Sequence, residues 1–418
     1  MVRRRLRRQL QLGEAALQVA CSTLPFLLKN RQCLYVRFEF NPVSNMAPSI
    51  PGPLRGMLWP VGNIIEMASL PAAPAKGFGI SEDVPASSHF AGKPVADTLG
   101  DHLGVQLGTL PKLALAAALW WGMRNIISQQ KATEFDSDYV KYVVIRDLVI
   151  TWCVAGFWDT LMHSHSSPFF ARMRGHKLNP IEPTTVGSRT QCIVARWQFA
   201  HDAFWSTCST LISSVFELAL FYHYAKSAAS WVQPGATDSW YTHVPTIAWA
   251  LTMPYWRLAH FYTVHRLMHK WFPSRAPGTG VIPDVGAFLY KHVHGLHHLS
   301  KNPTAWSGVS MHPVESSCYY SAMLIPLAVT TALSLPMVHP IVFLYTKLDL
   351  TIAALVGHDG VGYPGGASQG HWLHHALIDC NFGENYAPFD WLFGTWAKDE
   401  ADFNAKGLGE RKVAKKAA

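Results

Sequence analysis

Long apolar runs dominate the hydropathy pattern, separated by short polar or proline-containing breaks. A bilayer-crossing helix needs about 20 mostly apolar residues, and several stretches approach that length. Residues 113–123 form a short run, and 142–157 is broken by Arg146 and Asp147. Residues 204–222 hold one charge, Glu217, while 244–256 is uncharged but contains Pro245 and Pro254. Residues 319–346 contain no Asp, Glu, Lys or Arg, enough for a span and a turn at Pro336–Pro340, and 348–357 extends the return leg past Lys347 and Asp349. Aromatic clusters (Trp120–Trp121, Trp205, Trp249, Tyr255–Trp256 and Tyr319–Tyr320) sit near the ends of these runs, as interfacial belts do. A water-soluble core of buried helices is the alternative, and the 319–346 run is hard to place in one. The pattern therefore predicts an all-α integral membrane helical bundle of about four spans, some short or re-entrant, with no repeat of solenoid period.

Composition agrees with that picture. Of 418 residues, 49% are hydrophobic, 12% aromatic and only 15% charged, against about 25% charged in an ordinary soluble domain. Disorder needs the opposite balance. The net charge of +8 is local: residues 1–37 hold eight Arg or Lys against Glu14 alone. The body lacks the basic stripe of a nucleic-acid binder. Residues 1–46 read as a basic arm, either a targeting segment or a solvated tail, unless translation starts at Met46. Residues 47–105 are a loop-rich lead-in, 106–245 carry membrane helices and their connections, 246–397 form a histidine-rich domain, and 398–418 are a tail. The seven Cys are scattered without a CxxC pair, so neither a disulfide framework nor a cysteine zinc site is expected.

The chemistry lies in histidine. Thirteen of 21 His fall between His260 and His375. Three boxes stand out there: His265–Arg–Leu–Met–His269, His294–Gly–Leu–His297–His298 and His371–Trp–Leu–His374–His375. On a helix, positions i, i+3 and i+4 share a face, so an HxxHH box aims three imidazoles at one small volume. Neutral imidazole offers an sp² nitrogen lone pair that suits Fe, Zn, Cu and Ni. Eight such nitrogens exceed what one metal accepts, which favours two metals. HExxH and Glu-x-x-His are both absent, which disfavours a zinc protease and a carboxylate di-iron bundle. Beside a membrane, iron with O₂ attacking a C–H bond fits best; two hydrolytic zincs remain open on ligand type alone.

At these residues, across about 260–396, the chain resembles the fatty acid hydroxylase / sterol desaturase superfamily of membrane di-iron enzymes. The order HxxxH, HxxHH, HxxHH carries the resemblance, together with Asn302–Pro303 and Met311–His312–Pro313–Val314–Glu315 after the second box. It continues with Gly357–His358–Asp359–Gly360, Asn381–Phe382–Gly383 and the closing Phe389–Asp–Trp–Leu–Phe–Gly–Thr395. The resemblance implies iron ligands at His265, His269, His294, His297, His298, His371, His374 and His375, with His358 a ninth. Ala354 stands where fatty acid and ceramide 2-hydroxylases resemble HxxxH, which leans toward the sterol branch. His312 and Glu315 are candidates for orienting a ligand. His260 and His292 read as supporting residues and His339 as a turn residue, while His163 and His165 match no box.

The resemblance also implies a cytosolic helical cap carrying the boxes, a di-iron cofactor, O₂, a lipid substrate with a sterol favoured, and cytochrome b5 with its NAD(P)H-dependent reductase as electron donor. The chain has no His-Pro-Gly-Gly heme motif, so the donor would be a separate protein. Fatty acyl or sphingolipid hydroxylation, alkylglycerol or carotenoid oxidation, and a non-catalytic membrane protein are the competing expectations. Lys415–Lys416 before two final Ala resembles the dilysine retrieval signal of the endoplasmic reticulum, which would set the C-terminus on the cytosolic side.

Overall fold

The computed structural model describes residues 99–163, 176–177, 189–227, 244–272, 282–300, 303–335, 337–359, 361–362, 367–384 and 388–408. The N-terminal arm, His165 and the dilysine tail lie outside the described residues. Those described all belong to one compact unit, Ile50–Ala418. Their regular elements are helical, apart from one antiparallel pairing of β1 (His176–Lys177) with β2 (Val361–Gly362).

Five long helices make the bundle: α1 (Leu99–Ile126), α3 (Ser137–His163), α4 (Arg189–Ser227), α5 (Val244–Leu267) and, later in the chain, α9 (Pro340–Gly357). Three of them, over His102–Arg124, Gln198–Lys226 and Pro340–Gly357, are long and apolar enough to cross a membrane. Their outer faces are greasy. Leu103, Leu107 and Leu110 on α1 and Phe204, Leu211 and Val215 on α4 are exposed at helical spacing, as lipid-facing stripes are.

The apolar run 319–346 turns back just before Pro340, near the expected turn, but its outgoing part is not one long helix. α7 (Pro313–Tyr320) passes through a 3-10 turn, Ser321–Leu324, into α8 (Ile325–Ala332), which then stops. Pro326 at the start of α8 offers no backbone donor to the preceding turn. Beyond α8, Ser334 takes a left-handed conformation (φ 52°). His339 then caps the next helix, its Nδ1 accepting from Ile341 N at 3.3 Å, with Pro340 first in α9. In the other direction, Pro254 does not end its run: α5 continues through it to Leu267.

α9 is buried on nearly every side from Val342 to Thr351, and it packs against α1, α3, α4 and α5. The shared core joins Trp120 and Met123 of α1, Tyr139 and Val143 of α3, Phe221 of α4 and Leu344, Tyr345 and Leu348 of α9. Charges that interrupt the apolar runs meet here instead of facing lipid. Arg146 Nη2 donates to Asp147 Oδ1 (2.7 Å) and Glu217 Oε2 (2.5 Å). Lys347 Nζ donates to Glu217 Oε2 (2.6 Å) and to Asp147. Two cations thus balance two carboxylates, and Ser214 Oγ adds a bond to Asp147 Oδ2 at 2.7 Å.

Shorter elements bring in the rest: α2 (Gln129–Glu134), α6 (Val285–His292), the 3-10 helices His294–Leu299 and Ala305–Ser307, α10 (Ala367–Leu377), α11 (Phe389–Leu392) and α12 (Glu400–Ala405). Asp284 caps α6 through Ala287 N (2.8 Å) and also accepts from Trp271 N and Phe272 N, both at 3.0 Å. The end of the α5 segment is thereby tied to the start of α6.

Removing one partner of a buried ion pair leaves an uncompensated charge. Lys347→Met is expected to lower stability by about 3 kcal/mol, seen as a fall in detergent-solubilised thermal midpoint. The double variant Lys347→Met/Glu217→Gln, which restores neutrality, is expected to recover most of that loss.

Candidate metal centre

Nine histidines converge from four chain segments. His265 lies in the last turn of α5, and His269 follows two residues after the helix ends. His294, His297 and His298 ride on the 3-10 helix, His358 caps the C-terminus of α9, and His371, His374 and His375 lie on α10. None is more than 7% exposed.

They divide into two groups. His265, His269, His294, His298 and His374 form one; His297, His358, His371 and His375 form the other. Within each, one ring nitrogen per residue lies within 4.8 Å of all the others. Each HxxHH box is therefore split between the groups, although their spacing suggests three imidazoles at one point. On α10 the i, i+4 pair His371 and His375 faces one group while His374 turns to the other. The second box is a 3-10 helix, in which i and i+3 eclipse, and the rings of His294 and His297 lie stacked at 5.5 Å and 27°. The groups adjoin: the His298 and His375 rings are 4.8 Å apart across the boundary.

Nitrogen separations fit a shared cation. The Nε2 atoms of His294 and His298 are 2.9 Å apart, those of His298 and His374 3.2 Å, and those of His265 and His269 3.3 Å. In the second group, His297 and His358 Nε2 are 3.3 Å apart. Two nitrogens bound at about 2.1 Å and a right angle would sit about 3.0 Å apart.

What turns these nitrogens inward is the bond made by the opposite one. Nδ1 of His265 donates to Phe382 O (2.6 Å), of His374 to Cys380 O (2.6 Å), of His358 to Ala354 O (2.7 Å) and of His297 to Ser310 O (3.2 Å). His294 Nδ1 donates to Glu315 Oε1 at 2.7 Å. A carbonyl accepts only, so each of those rings carries its proton on Nδ1 and presents a bare Nε2 to the centre. Nε2 of His371 and both nitrogens of His375 are buried without a hydrogen-bond partner among the described residues. Buried acceptors left unpaired are costly, and a bound cation satisfies such lone pairs.

Electrostatics favour the same state. Burial pushes His294 and His358 down to about 3 and His297 down to about 4, and holds the other six well below their usual range. The rings are neutral near pH 7, as ligation needs. Burial also raises Glu315 to about 7, with the nearby His297 and His312 pulling the other way.

The backbone that supplies the carbonyls is clamped. Asp390 accepts from Phe382 N (3.0 Å), Gly383 N (2.6 Å) and Thr395 Oγ1 (2.6 Å). Asn381, left-handed at φ 53°, pairs both side-chain atoms with Ala397, at 2.9 and 2.8 Å. The closing motifs thus hold Cys380 O and Phe382 O in place. At Gly308 a Cβ would stand 2.3 Å from Ala354 O. Only glycine lets this backbone approach the carbonyl that His358 uses.

Sequence reasoning missed one buried anchor. Asp202, fully buried in α4, accepts from Ser300 Oγ (2.6 Å) and Ser307 Oγ (2.7 Å), pinning the segment after the second box. A lone acid inside an apolar run was the available signal. His312 lies outside the nine: its Nδ1 accepts from Val314 N at 3.2 Å and caps α7. His260 bonds Ser321 Oγ at 3.1 Å, and His292 packs on Phe288, with ring centres 4.7 Å apart.

Residues 249–395 match the family model described as fatty acid hydroxylase. A Delta(7)-sterol 5(6)-desaturase of Gibberella zeae is 29% identical over 147 residues, covering 34% of this chain and 38% of that protein. A lathosterol oxidase of Rattus norvegicus is 29% identical over 131 residues, covering 28% and 40%. A very-long-chain aldehyde decarbonylase of Oryza sativa subsp. japonica is 28% identical over 166 residues, covering 36% and 52%. The chain thus spans about two fifths to one half of the length of these relatives. No solved structure gives a significant match.

Glu315→Gln keeps the shape at His294 but replaces a carboxylate acceptor with an amide. Loss of such a partner costs about 10–100-fold in metal affinity, and chelator competition on the purified protein is expected to show a drop of that size.

Proposed function

We propose that this chain, a member of the fatty acid hydroxylase superfamily with a sterol-desaturase leaning, is an O₂-dependent di-iron oxidoreductase that hydroxylates or desaturates a lipid C–H bond. The observation that carries this reading is the division of nine buried, neutral histidines into adjoining groups of five and four. All-imidazole donor sets suit iron, and two groups suit two ions. A di-iron pair held by His265, His269, His294, His298 and His374 and by His297, His358, His371 and His375 would supply oxygen activation and C–H cleavage.

The protein's share is placement and exclusion of water. Five Nδ1 bonds fix the tautomer and the plane of their rings. A cavity of about 380 Å³ opens onto His265, His294, His297, His358 and His371. Phe261, Val264, Met311 and Ile352 contribute to its walls, which suit an apolar substrate.

A sterol is the favoured substrate, through C-5 desaturation or C-4 methyl oxidation. Support comes from the activities that the relatives are named for, among them a putative methylsterol monooxygenase of Dictyostelium discoideum, and from Ala354 four residues before His358. Reduced cytochrome b5 and its reductase would supply the electrons. The endoplasmic reticulum membrane, with a cytosolic C-terminus, fits the Lys415–Lys416 ending.

Metal analysis of the purified protein is expected to find about two irons per chain, from the two histidine groups; zinc alone would overturn the oxygenase reading. His297→Ala and His374→Ala each remove one ring from a different group, and each is expected to abolish turnover while His163→Ala does not. Lipid profiling of cells with and without the gene is expected to show altered sterols. Altered acyl lipids over an unchanged sterol pattern would transfer the reading to a fatty acyl or sphingolipid hydroxylase or an alkylglycerol monooxygenase.

A further inference from the structure

The cavity that opens onto the histidines has a second polar region that metal binding does not use. Arg257, Phe261, Val264 and His265 all line it from α5. Their spacing of four, seven and eight residues keeps them on one helix face. The cavity therefore follows α5 for a little over two turns, with Arg257 at one level, His265 at the other and apolar side chains between. Lys112 of α1 and Glu384 also line it.

These groups form a cluster with balanced charge. Asp349, buried behind the wall, bonds Lys112 Nζ and lies 2.5 Å from Arg257 Nε through its Oδ2. Arg257 Nη2 reaches Glu384 Oε1 only at 3.5 Å. The Arg257 side chain is 6% exposed, yet Nη1 makes no hydrogen bond with the described residues. Glu384 has no shorter polar contact among them than this 3.5 Å one. Tyr319 lines the cavity too, but its hydroxyl is already committed to Leu350 O at 2.7 Å. A guanidinium donor and a carboxylate acceptor are thus left side by side at the cavity wall.

We infer that Arg257 and Glu384 form a subsite for the hydroxyl head of the lipid whose C–H bond lies at the histidines. A hydroxyl is the group that uses both: it accepts from Nη1 and donates to the carboxylate. A carboxylate head would add a third negative charge to two cations and two anions, with nothing to neutralise it. A hydrocarbon end would leave the buried donor unpaired. The inference rests on the reading of the histidine centre as the place of lipid oxidation, and it adds which end of the substrate points away from that centre.

Equilibrium binding to the purified full-length protein in detergent tests it, with iron content measured on the same samples. The probes are 5α-cholestan-3β-ol and 5α-cholestane, and octadecan-1-ol, octadecane and octadecanoate. The alcohol is expected to bind about tenfold more tightly than the hydrocarbon of the same skeleton, and octadecanoate no better than octadecane. Glu384→Leu is expected to remove most of that preference with little change in hydrocarbon affinity. Arg257→Lys keeps a cation beside Asp349 but loses the guanidinium fork, and it is expected to do the same. Equal binding of alcohol and hydrocarbon in both skeletons, tightest binding of octadecanoate, or full preference retained in both variants would each overturn the subsite. An iron-loaded protein without the preference would defeat the subsite alone. A preference retained in protein that never takes up iron would defeat the catalytic reading alone.

Discussion

Everything at the centre depends on holding nine imidazoles neutral, dry and pointed the right way. A buried imidazole has two ring nitrogens, and the lone pair turns inward only if the other nitrogen has somewhere to leave its proton. Four backbone carbonyls and one carboxylate take that role. The structure around them keeps those acceptors still: Asp390 and Asn381 clamp the segment that offers Cys380 O and Phe382 O, and Gly308 lets a neighbouring backbone press on Ala354. Asp202 anchors the segment beyond the second box to α4. Acceptors for these rings thus come mainly from main-chain atoms, whose positions follow from turns and caps rather than from side-chain identity.

The bundle solves a related problem with charge. Arg146, Asp147, Glu217 and Lys347 sit inside apolar helices and would be expensive against lipid. Gathered from α3, α4 and α9 they cancel, and they lock three helices in register. The group around Asp349 does the same between α1, α5 and α9, but it stands beside the cavity and leaves polar atoms available there. Both clusters put α9 at the hub: its middle carries Lys347 and Asp349, and its C-terminus delivers His358.

Legibility from sequence followed the range of the interactions. Helical, membrane-like character is a local property of apolar runs, and it could be read from 204–222 and 348–357. The ligand-type residues were legible as well, because box spacing is local and histidine is rare enough for the pattern to stand out. Where local cues compete, run length says less: the turn before Pro340 was legible in 319–346, but the 3-10 break ahead of Pro326 and the left-handed Ser334 were not. Arg146 and Asp147 suggested a break in 142–157, yet α3 runs on, because their partners lie on α4 and α9.

By itself, then, the sequence determined the helical class, the membrane-like composition, the nine histidines and the family they resemble, because each is written in residues close together in the chain. Only the tertiary structure decided how those histidines divide into five and four, since each HxxHH box sends rings to both groups and the division depends on how α5, α10 and the 3-10 helix cross. It alone decided that Glu315 serves His294 and that Asp390 acts through Cys380 and Phe382. Contacts such as that between Lys112 and Asp349, 237 residues apart, form only when distant helices pack. No spacing rule along one chain encodes them.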